Sequence, residues 1–374
     1  MHLDVITKDL LRAIKTVSPA ISNRAALPAL TGLRLQASEG RLDLAGTDLD
    51  LTITVVVDAA VSSAGATLVS AKTLQKVVSA CVSERIAFTT TDTGGISIED
   101  GSRTIFLPQL PLEDWPRPAA DDGFTLLGSI PAVLLVDALA KVVLCASGNE
   151  ARAVLTSVVF FITSGSPVAR LVATDSYRLG IAEIPLEQPA DASHTFLVPA
   201  RTCAVLAKLL GSADGSVELS GPADGSARAQ VRFQAGNLRV ESGLVEGEFP
   251  NWETITPTPG ASYLDVDAAE LASAIKAADS VTPAGAPVRL ELDGECTLVG
   301  GTPETGELRA RLTTASFTGG DTGELVVGFN PGFLADALRF VDQHRVRVYI
   351  VDGLKPALFE APDRRHVLMP VRPR

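Results

Sequence analysis

The phrase Val-Ser-Ala-Lys-Thr at positions 69–73 returns as Val-Pro-Ala-Arg-Thr at 198–202 and as Val-Gly-Phe-Asn-Pro at 327–331, a constant step of 129 residues. Each copy closes a short apolar strand-like run and opens an amphipathic helix-like run. A period this long exceeds that of a stacked solenoid unit, so it marks three copies of one whole domain. At roughly 150 residues per domain, a chain of 374 residues admits two or three, and the repeat selects three.

The copies share an order of elements. In the first, residues 33–36 and 41–45 alternate around the turn Ala37-Ser38-Glu39-Gly40, and 49–57 alternates again, which reads as a β-meander. Residues 158–162, 169–173 and 178–184 repeat the plan, and 288–292 with 296–300 repeat it around Asp293-Gly294-Glu295. The second half of each copy reads as another helix followed by hairpins, for example 84–89, 95–99 and 103–107. Each third is thus expected to hold two β-α-β-β-β units. Helices are expected over 7–17, 71–82, 131–146, 200–210, 268–278 and 331–341, against roughly two dozen short strands. Links rich in Pro, Asp and Gly near 112–123 and 248–261 place the domains at 1–122, 123–252 and 253–374.

At 46% apolar and 20% charged the composition is that of a folding globular chain. The first ten residues alternate and carry Lys8 and Asp9, unlike a secretory leader, and no apolar run approaches a bilayer's width. A cytoplasmic protein with no membrane partner is the expectation. The cysteines (Cys81, Cys145, Cys203, Cys296) and histidines (His2, His194, His344, His366) are scattered, without the spacing of a zinc site. They read as small buried thiols and dispersed imidazoles, with no metal and no cofactor expected.

The net charge of −12 argues against a protein that grips nucleic acid over its whole surface. Its distribution is uneven. The six helical segments with their flanking residues carry Lys8, Arg12, Lys15, Lys72, Lys76, Lys141, Arg201, Lys208, Lys276 and Arg339 against Asp9, Asp137, Asp267, Glu270, Asp279, Asp336 and Asp342. The helices are net positive in a negative chain, although the last two do not share the bias. The ordinary reading is that solvated helix faces favour Lys and Arg.

No Walker loop, nucleophile elbow, HExxH or dinucleotide-binding glycine motif is present. Thr47-Asp48 and Thr174-Asp175 end equivalent strands, and a turn in which Asp accepts backbone N–H bonds explains them better than a carboxylate dyad. A hydrolase or transferase built on this scaffold would need Asp48 or Asp175 for turnover, and no further catalytic constellation accompanies them.

The stretch Ala173-Thr174-Asp175-Ser176-Tyr177-Arg178-Leu179, with Arg24-Ala25-Ala26-Leu27-Pro28-Ala29-Leu30, Gly247-Glu248-Phe249-Pro250 and the ending Leu368-Met369-Pro370-Val371-Arg372, resembles the bacterial DNA polymerase III β subunit family, the sliding clamps. The resemblance runs end to end. It implies an α+β DNA-clamp fold of three repeated domains. It also implies a ring-forming head-to-tail homodimer whose helices line a hole around double-stranded DNA and whose strands form the outer sheet. Such a ring accounts for basic helices inside an acidic chain, because sliding needs weak, sequence-independent phosphate contacts.

The resemblance further implies a non-enzymatic replication processivity factor. A peptide-binding pocket would accept short linear motifs from DNA polymerase III, the clamp loader and repair proteins. By residue-to-residue matching its wall comprises Leu155, Thr174, Tyr177, Arg178, Leu179, Pro250, Ile255, Asn330, Phe333, Leu354, Pro356, Val367, Leu368, Met369, Pro370, Val371 and Arg372. Leu, Val and Met would receive an aromatic and a leucine anchor, and flexible Met369 suits several ligands. An ordinary buried final strand is the alternative reading of 367–371. The implied DNA contacts are Arg24, Lys72, Asn149 and Arg152, each also readable as a solvated surface group.

Three departures bear on these expectations. Ala153 and Val154 stand where some relatives carry aromatic side chains, Pro373 follows Arg372 where relatives usually have leucine, and 279–287 is built of small residues. The first weakens the expected loop contacts to DNA; the altered tail and the 279–287 segment motivate an alternative within the family, a specialised second clamp copy with an altered pocket or inhibitor response.

Overall fold

The computed structural model describes residues 1–22, 27–91, 94–116, 123–211, 214–222, 229–292, 295–304, 306–319 and 325–372. The first third runs β1 (His2–Ile6), α1 (Thr7–Val17), β2 (Gly32–Ser38), β3 (Arg41–Thr47), β4 (Leu51–Ser63), then β5 (Gly65–Ser70), α2 (Ala71–Ala80), β6 (Arg85–Thr91), β7 (Gly95–Asp100), β8 (Arg103–Pro108). The second runs β9 (Phe124–Pro131), α3 (Ala132–Val142), β10 (Ser157–Ile162), β11 (Val168–Thr174), β12 (Arg178–Pro185), then β13 (His194–Pro199), α4 (Ala200–Leu210), β14 (Ser216–Pro222), β15 (Gln230–Ala235), β16 (Leu238–Gly243). Each is β-α-β-β-β twice, as the repeat predicts.

A short helix α5 (Trp252–Ile255) then leads to β17 (Tyr263–Asp267), α6 (Ala268–Asp279), β18 (Val288–Leu292) and β19 (Cys296–Thr302). The last third adds a divided return, β20 (Gly306–Arg311) and β21 (Ser316–Thr318). It closes with β22 (Leu325–Phe329), α7 (Pro331–Val341), β23 (Arg345–Tyr349), β24 (Ala357–Ala361) and β25 (Arg364–Leu368).

The helices follow from spacing and caps. In α1, Leu10, Ala13, Ile14 and Val17 recur at helical spacing and are buried, while Asp9 in the first turn and Lys15 in the last complement the helix dipole. Ser70 accepts the Thr73 amide to start α2. The sequence placed the end of α2 at residue 82, but it stops at Ala80. Cys81 is extended, and the amides of Val82 and Ser83 turn to the carboxylate of Asp100. Helix α3 likewise stops at Val142 and tightens into a 3₁₀ turn through Cys145, short of the expected 146.

The third copy of the repeated phrase is displaced. Helices α2 and α4 begin at Ala71 and Ala200, but α7 begins at Pro331 rather than two residues earlier. Strand β22 stays paired through Phe329, opposite Val288, and Asn330 then caps the helix by accepting the Phe333 amide. Pro331 at the first helical position costs nothing there, since that amide would be unpaired anyway.

The chain divides into two compact units: Met1–Val136 with Leu186–Asp191 and Val205–Leu244, and Asp137–Pro185 with Ala192–Ala204 and Val245–Arg374. In the first unit one antiparallel sheet runs β8-β7-β6-β1-β4-β16-β15-β14-β9, with β2, β3 and β5 joined at its side. In the second, the path is β13-β10-β11-β12-β25-β24-β23-β17-β21, beside a separate sheet β20-β19-β18-β22. Fully buried side chains include Leu3, Leu35 and Phe88 in the first unit and Phe160, Phe340 and Phe359 in the second. Each such burial contributes about 1.5–3 kcal/mol.

The two units use one pairing twice. Leu51 of β4 faces Ser242 of β16, and the Gly243 amide then donates to the Asp50 carbonyl at 2.7 Å. Arg178 of β12 faces Leu368 of β25, and the Met369 amide donates to the Tyr177 carbonyl at 2.9 Å.

Candidate functional site

The turn between β11 and β12 is built by its own side chains. The Thr174 hydroxyl donates to the Arg178 carbonyl at 2.6 Å and accepts the Ser176 amide at 3.1 Å. Asp175 Oδ1 accepts the amides of Tyr177 and Arg178. Ser176 takes a φ of 80°, a left-handed conformation that this bonding holds in place. The turn after β3 repeats the design, with Asp48 accepting the amides of Asp50 and Leu51 and Leu49 at a φ of 85°. Both carboxylates serve as turn acceptors.

Arg178 is fixed on three sides. Its Nε bonds Asp175 Oδ2 at 3.0 Å, its Nη1 bonds Asp336 of α7, and its guanidinium carbon lies 4.2 Å from the Phe333 ring centroid. Burial works against its charge, but the bonds to Asp336 and Asp175 more than offset that and hold its pKa above the ordinary arginine value. Asp336 is itself shared, its other oxygen bonding exposed Arg339 at 2.6 Å.

Behind this turn a cleft of about 550 Å3 opens within the second unit. Its floor is Leu179 and Val367, which pack with Val172, Ile181, Trp252 and Leu358. One wall is 254–257, set by Trp252, whose ring lies 5.9 Å from that of Phe161. The opposite rim is Val351, Lys355 and Pro356, on a turn in which Asp352 Oδ1 accepts the amides of Leu354 and Lys355 at 2.8 Å each. Those amides hold the Asp352 carboxyl below the usual range. Met369 and Tyr177, both exposed, complete the mouth. The result is an apolar hollow with two cations, Arg178 and Lys355, at its edge, suited to an apolar side chain on a polar backbone.

Of the residues matched to the family, Thr174, Tyr177, Arg178, Leu179, Ile255, Pro356, Val367 and Met369 line this cleft. The others stand elsewhere. Leu155 and Leu368 are buried in the core, and Leu368 follows Val367 on a pleated strand and so points to the opposite face. Asn330 spends its side chain as the cap of α7, and Phe333 lies beneath Arg178, 6.4 Å from the Tyr177 ring. Pro250 and Leu354 are exposed and Pro370 half-buried outside the lining, while Val371 and Arg372 border another hollow. Ser176, Thr254, Thr256, Pro257, Val351 and Lys355 line the cleft without having been singled out. They sit in turns, a link and the single-turn helix α5, too short for any periodicity to mark them.

Of the matched DNA contacts, Arg24 lies outside the described residues. Lys72 is exposed at the start of α2. Asn149 accepts the Ala151 amide, and Arg152 donates to the Ser176 hydroxyl at 2.8 Å. Cys145, Cys203 and Cys296 are buried, whereas Cys81 is only half-buried because its helix has already ended. Among the described residues no group of three or more His, Cys, Asp or Glu could hold a metal ion, and no helix is long and apolar enough to cross a membrane.

Family models described as DNA polymerase III beta subunit match three successive stretches: the N-terminal domain over 1–119, the central domain over 129–251 and the C-terminal domain over 253–372. The beta sliding clamp of Streptomyces coelicolor is 30% identical over 384 residues, covering 100% of this chain and 99% of that one. The crystal structure of the DNA polymerase sliding clamp from Caulobacter crescentus superposes with a TM-score of 0.89 at 26% identity, covering 100% of both chains. That from Bacillus subtilis gives 0.91 at 23%, again over 100% of both.

Proposed function

We propose, on the premise that this chain belongs to the bacterial DNA polymerase III β subunit family, the sliding clamps, that the cleft beside Arg178 is where it captures its partners. The chain is a replication sliding clamp of three-domain α+β clamp fold. The family's work is processivity, which is binding and tethering rather than turnover, and we read this chain as non-catalytic. Partners of the polymerase III system would insert apolar anchors over Leu179 and Val367 while Arg178 and Lys355 meet polar or acidic groups at the mouth. The observation that carries this reading is the convergence of Thr174, Arg178, Leu179, Val367 and Met369, from distant parts of the sequence, on one apolar cleft.

In this reading the domains fall at 1–122, 123–252 and 253–374, and two copies close head to tail around duplex DNA in the cytoplasm. Its support is that one sheet ends on β8, where Phe106 is exposed, and another on β20, and such antiparallel edges invite pairing with a second chain. Arg24, Lys72, Asn149 and Arg152 would touch phosphates, with Arg152 exchanging its bond to Ser176 for one to DNA.

The test is retention on closed circular DNA after loading, repeated after the circle is cut. Retention on the circle with loss from the linear form supports a topological clamp; equal, salt-sensitive binding to both forms refutes it. For the cleft, Met369→Ala with Arg178→Ala is expected to weaken a leucine- and phenylalanine-bearing peptide at least tenfold. Unchanged affinity would remove the assignment.

A further inference from the structure

A second hollow, of about 340 Å3, lies in the same unit, bounded by residues 282–287, Arg289, Gly301, Thr302, Val371 and Arg372. Its wall is held in place. The Thr282 hydroxyl donates to the Ala278 carbonyl at 2.7 Å and accepts the Gly301 amide at 3.0 Å, tying the loop to the end of α6 and to β19. The Ala286 amide closes the loop on the Pro283 carbonyl. Gly301 has a φ of 76°, and a Cβ there would fall 2.0 Å from the Gly306 carbonyl oxygen, so no other residue fits.

The charged side chains lining the hollow are both arginines. Arg289 touches Glu307 at 3.4 Å, near the limit of a hydrogen bond, and Glu307 is also the acceptor for Arg309. Arg372 is exposed and makes no ion pair among the described residues. With two guanidinium groups, only one of them paired, and no carboxylate among the described lining residues, the compartment favours an anion.

Its remaining wall is shared with the first cleft. Met369 lines the one, Val371 and Arg372 the other. Between them the tail is pinned by the Met369 amide to the Tyr177 carbonyl and by the Val371 amide to the Gly328 carbonyl. At about 3.3 Å per extended residue, the two compartments are roughly 7–10 Å apart along the tail. An extended ligand leaving the first reaches the second within two to four residues.

We propose that this second hollow receives an acidic side chain of the same partner peptide, an aspartate or glutamate a few residues from the apolar anchors. The inference rests on the reading of the first cleft as a peptide site. It adds a second point of charge selection, separate from Arg178 and Lys355 at the mouth of the first cleft.

The full-length chain would be titrated by fluorescence anisotropy with a synthetic peptide carrying leucine and phenylalanine anchors. Versions extended by two glutamates, or by two glutamines, at either end would be compared. The expected result is that, at one end, glutamate binds about fivefold tighter than glutamine at low salt, with the advantage fading as salt rises. Arg289→Gln with Arg372→Gln should bring that ratio to about one. Arg372→Glu alone, on an exposed tail residue, should reverse the preference toward a lysine extension.

Equal binding of glutamate and glutamine versions at both ends would overturn the inference, as would an advantage that survives both substitutions. If light scattering shows Arg289→Gln halving the protein's mass while the glutamate advantage persists, the hollow serves contact between two copies and the inference falls. Failure of the unextended peptide to bind would instead refute the reading of the first cleft.

Discussion

The guanidinium of Arg178 lies over the ring of Phe333, with 4.2 Å between its carbon and the ring centroid. The same group is bonded by Asp175 and Asp336. Removing it leaves two carboxylates facing each other with side chains only 13% and 17% exposed. Arg178→Met, which keeps the stem and removes the charge, is therefore expected to cost about 2–4 kcal/mol of stability. Phe333→Leu, which removes only the ring face, should cost about 0.5–1 kcal/mol in the cation–π contact. Chemical unfolding of both variants checks the order; equal losses would mean that the carboxylates do not matter.

Gly180 sits on β12, one residue beyond the cleft floor. A Cβ there would lie 2.6 Å from Phe340 Cε2 and 2.8 Å from Cys145 Sγ. Both neighbours are wholly buried and have nowhere to move. Gly180→Ala is expected to lose about 1–3 kcal/mol despite alanine's lower chain entropy when unfolded. Adding Phe340→Leu should return part of it, read as a shift in the urea midpoint. No recovery would mean that the strain arises elsewhere.

His366 is fully buried between Phe340 and Phe359. Its Nδ1 is 3.6 Å from Cys145 Sγ, and its Nε2 has no partner among the described residues. Burial, with a smaller push from Arg178, lowers its pKa from 6.5 to about 3. The unfolded chain takes up a proton below 6.5 that the folded chain refuses, so stability is present above that pH and is lost as pH falls from 6.5 toward 3. The slope for one such group is at most about 1.4 kcal/mol per pH unit. His366→Asn should flatten the loss between neutral pH and pH ~5, although it lowers stability throughout. Parallel curves for the two proteins would sink this account.

Glu270 accepts the amides and hydroxyls of both Thr313 and Thr314. These bonds, the Thr314 hydroxyl first, lower its pKa from 4.5 to about 2. Its contribution to stability is complete above 4.5 and disappears as pH falls from 4.5 toward 2. Glu270→Gln should be less stable than the parent at neutral pH, with the gap narrowing at pH ~3. Thermal melts at the two pH values would reveal a constant gap if charge plays no part.

The recurring phrase made the architecture legible because strand closure and helix opening put strong, opposed demands on the same few residues. Ser70 and Asn330 show where its spacing misleads: both are caps, but β22 keeps pairing through Phe329 and moves the third helix downstream. The end of α2 was hidden for a tertiary reason, since Asp100 lies far along the chain and competes for the amides of Val82 and Ser83.

For the cleft, Arg178, Leu179, Val367 and Met369 were legible through family likeness. Strand alternation alone would have separated Val367 from Leu368, one facing the hollow and the other the core. Lys355 and Thr256 were not legible, because a link and a turn become walls only when folding brings them beside β12 and β25. Lys72 and Arg152 gave no signal beyond charge and position.

The hydrogen bond from Gly243 to Asp50 holds the same place beside its strand pair as the one from Met369 to Tyr177. Duplication therefore delivered the same mount to both units, but only one carries the methionine and the tyrosine that flank the cleft. The other is a silent copy, with a hydrogen atom and a short carboxylate where the working copy has grasping side chains. One backbone mount thus recurs in both units, and whether it borders a cleft is decided by the few side chains it carries.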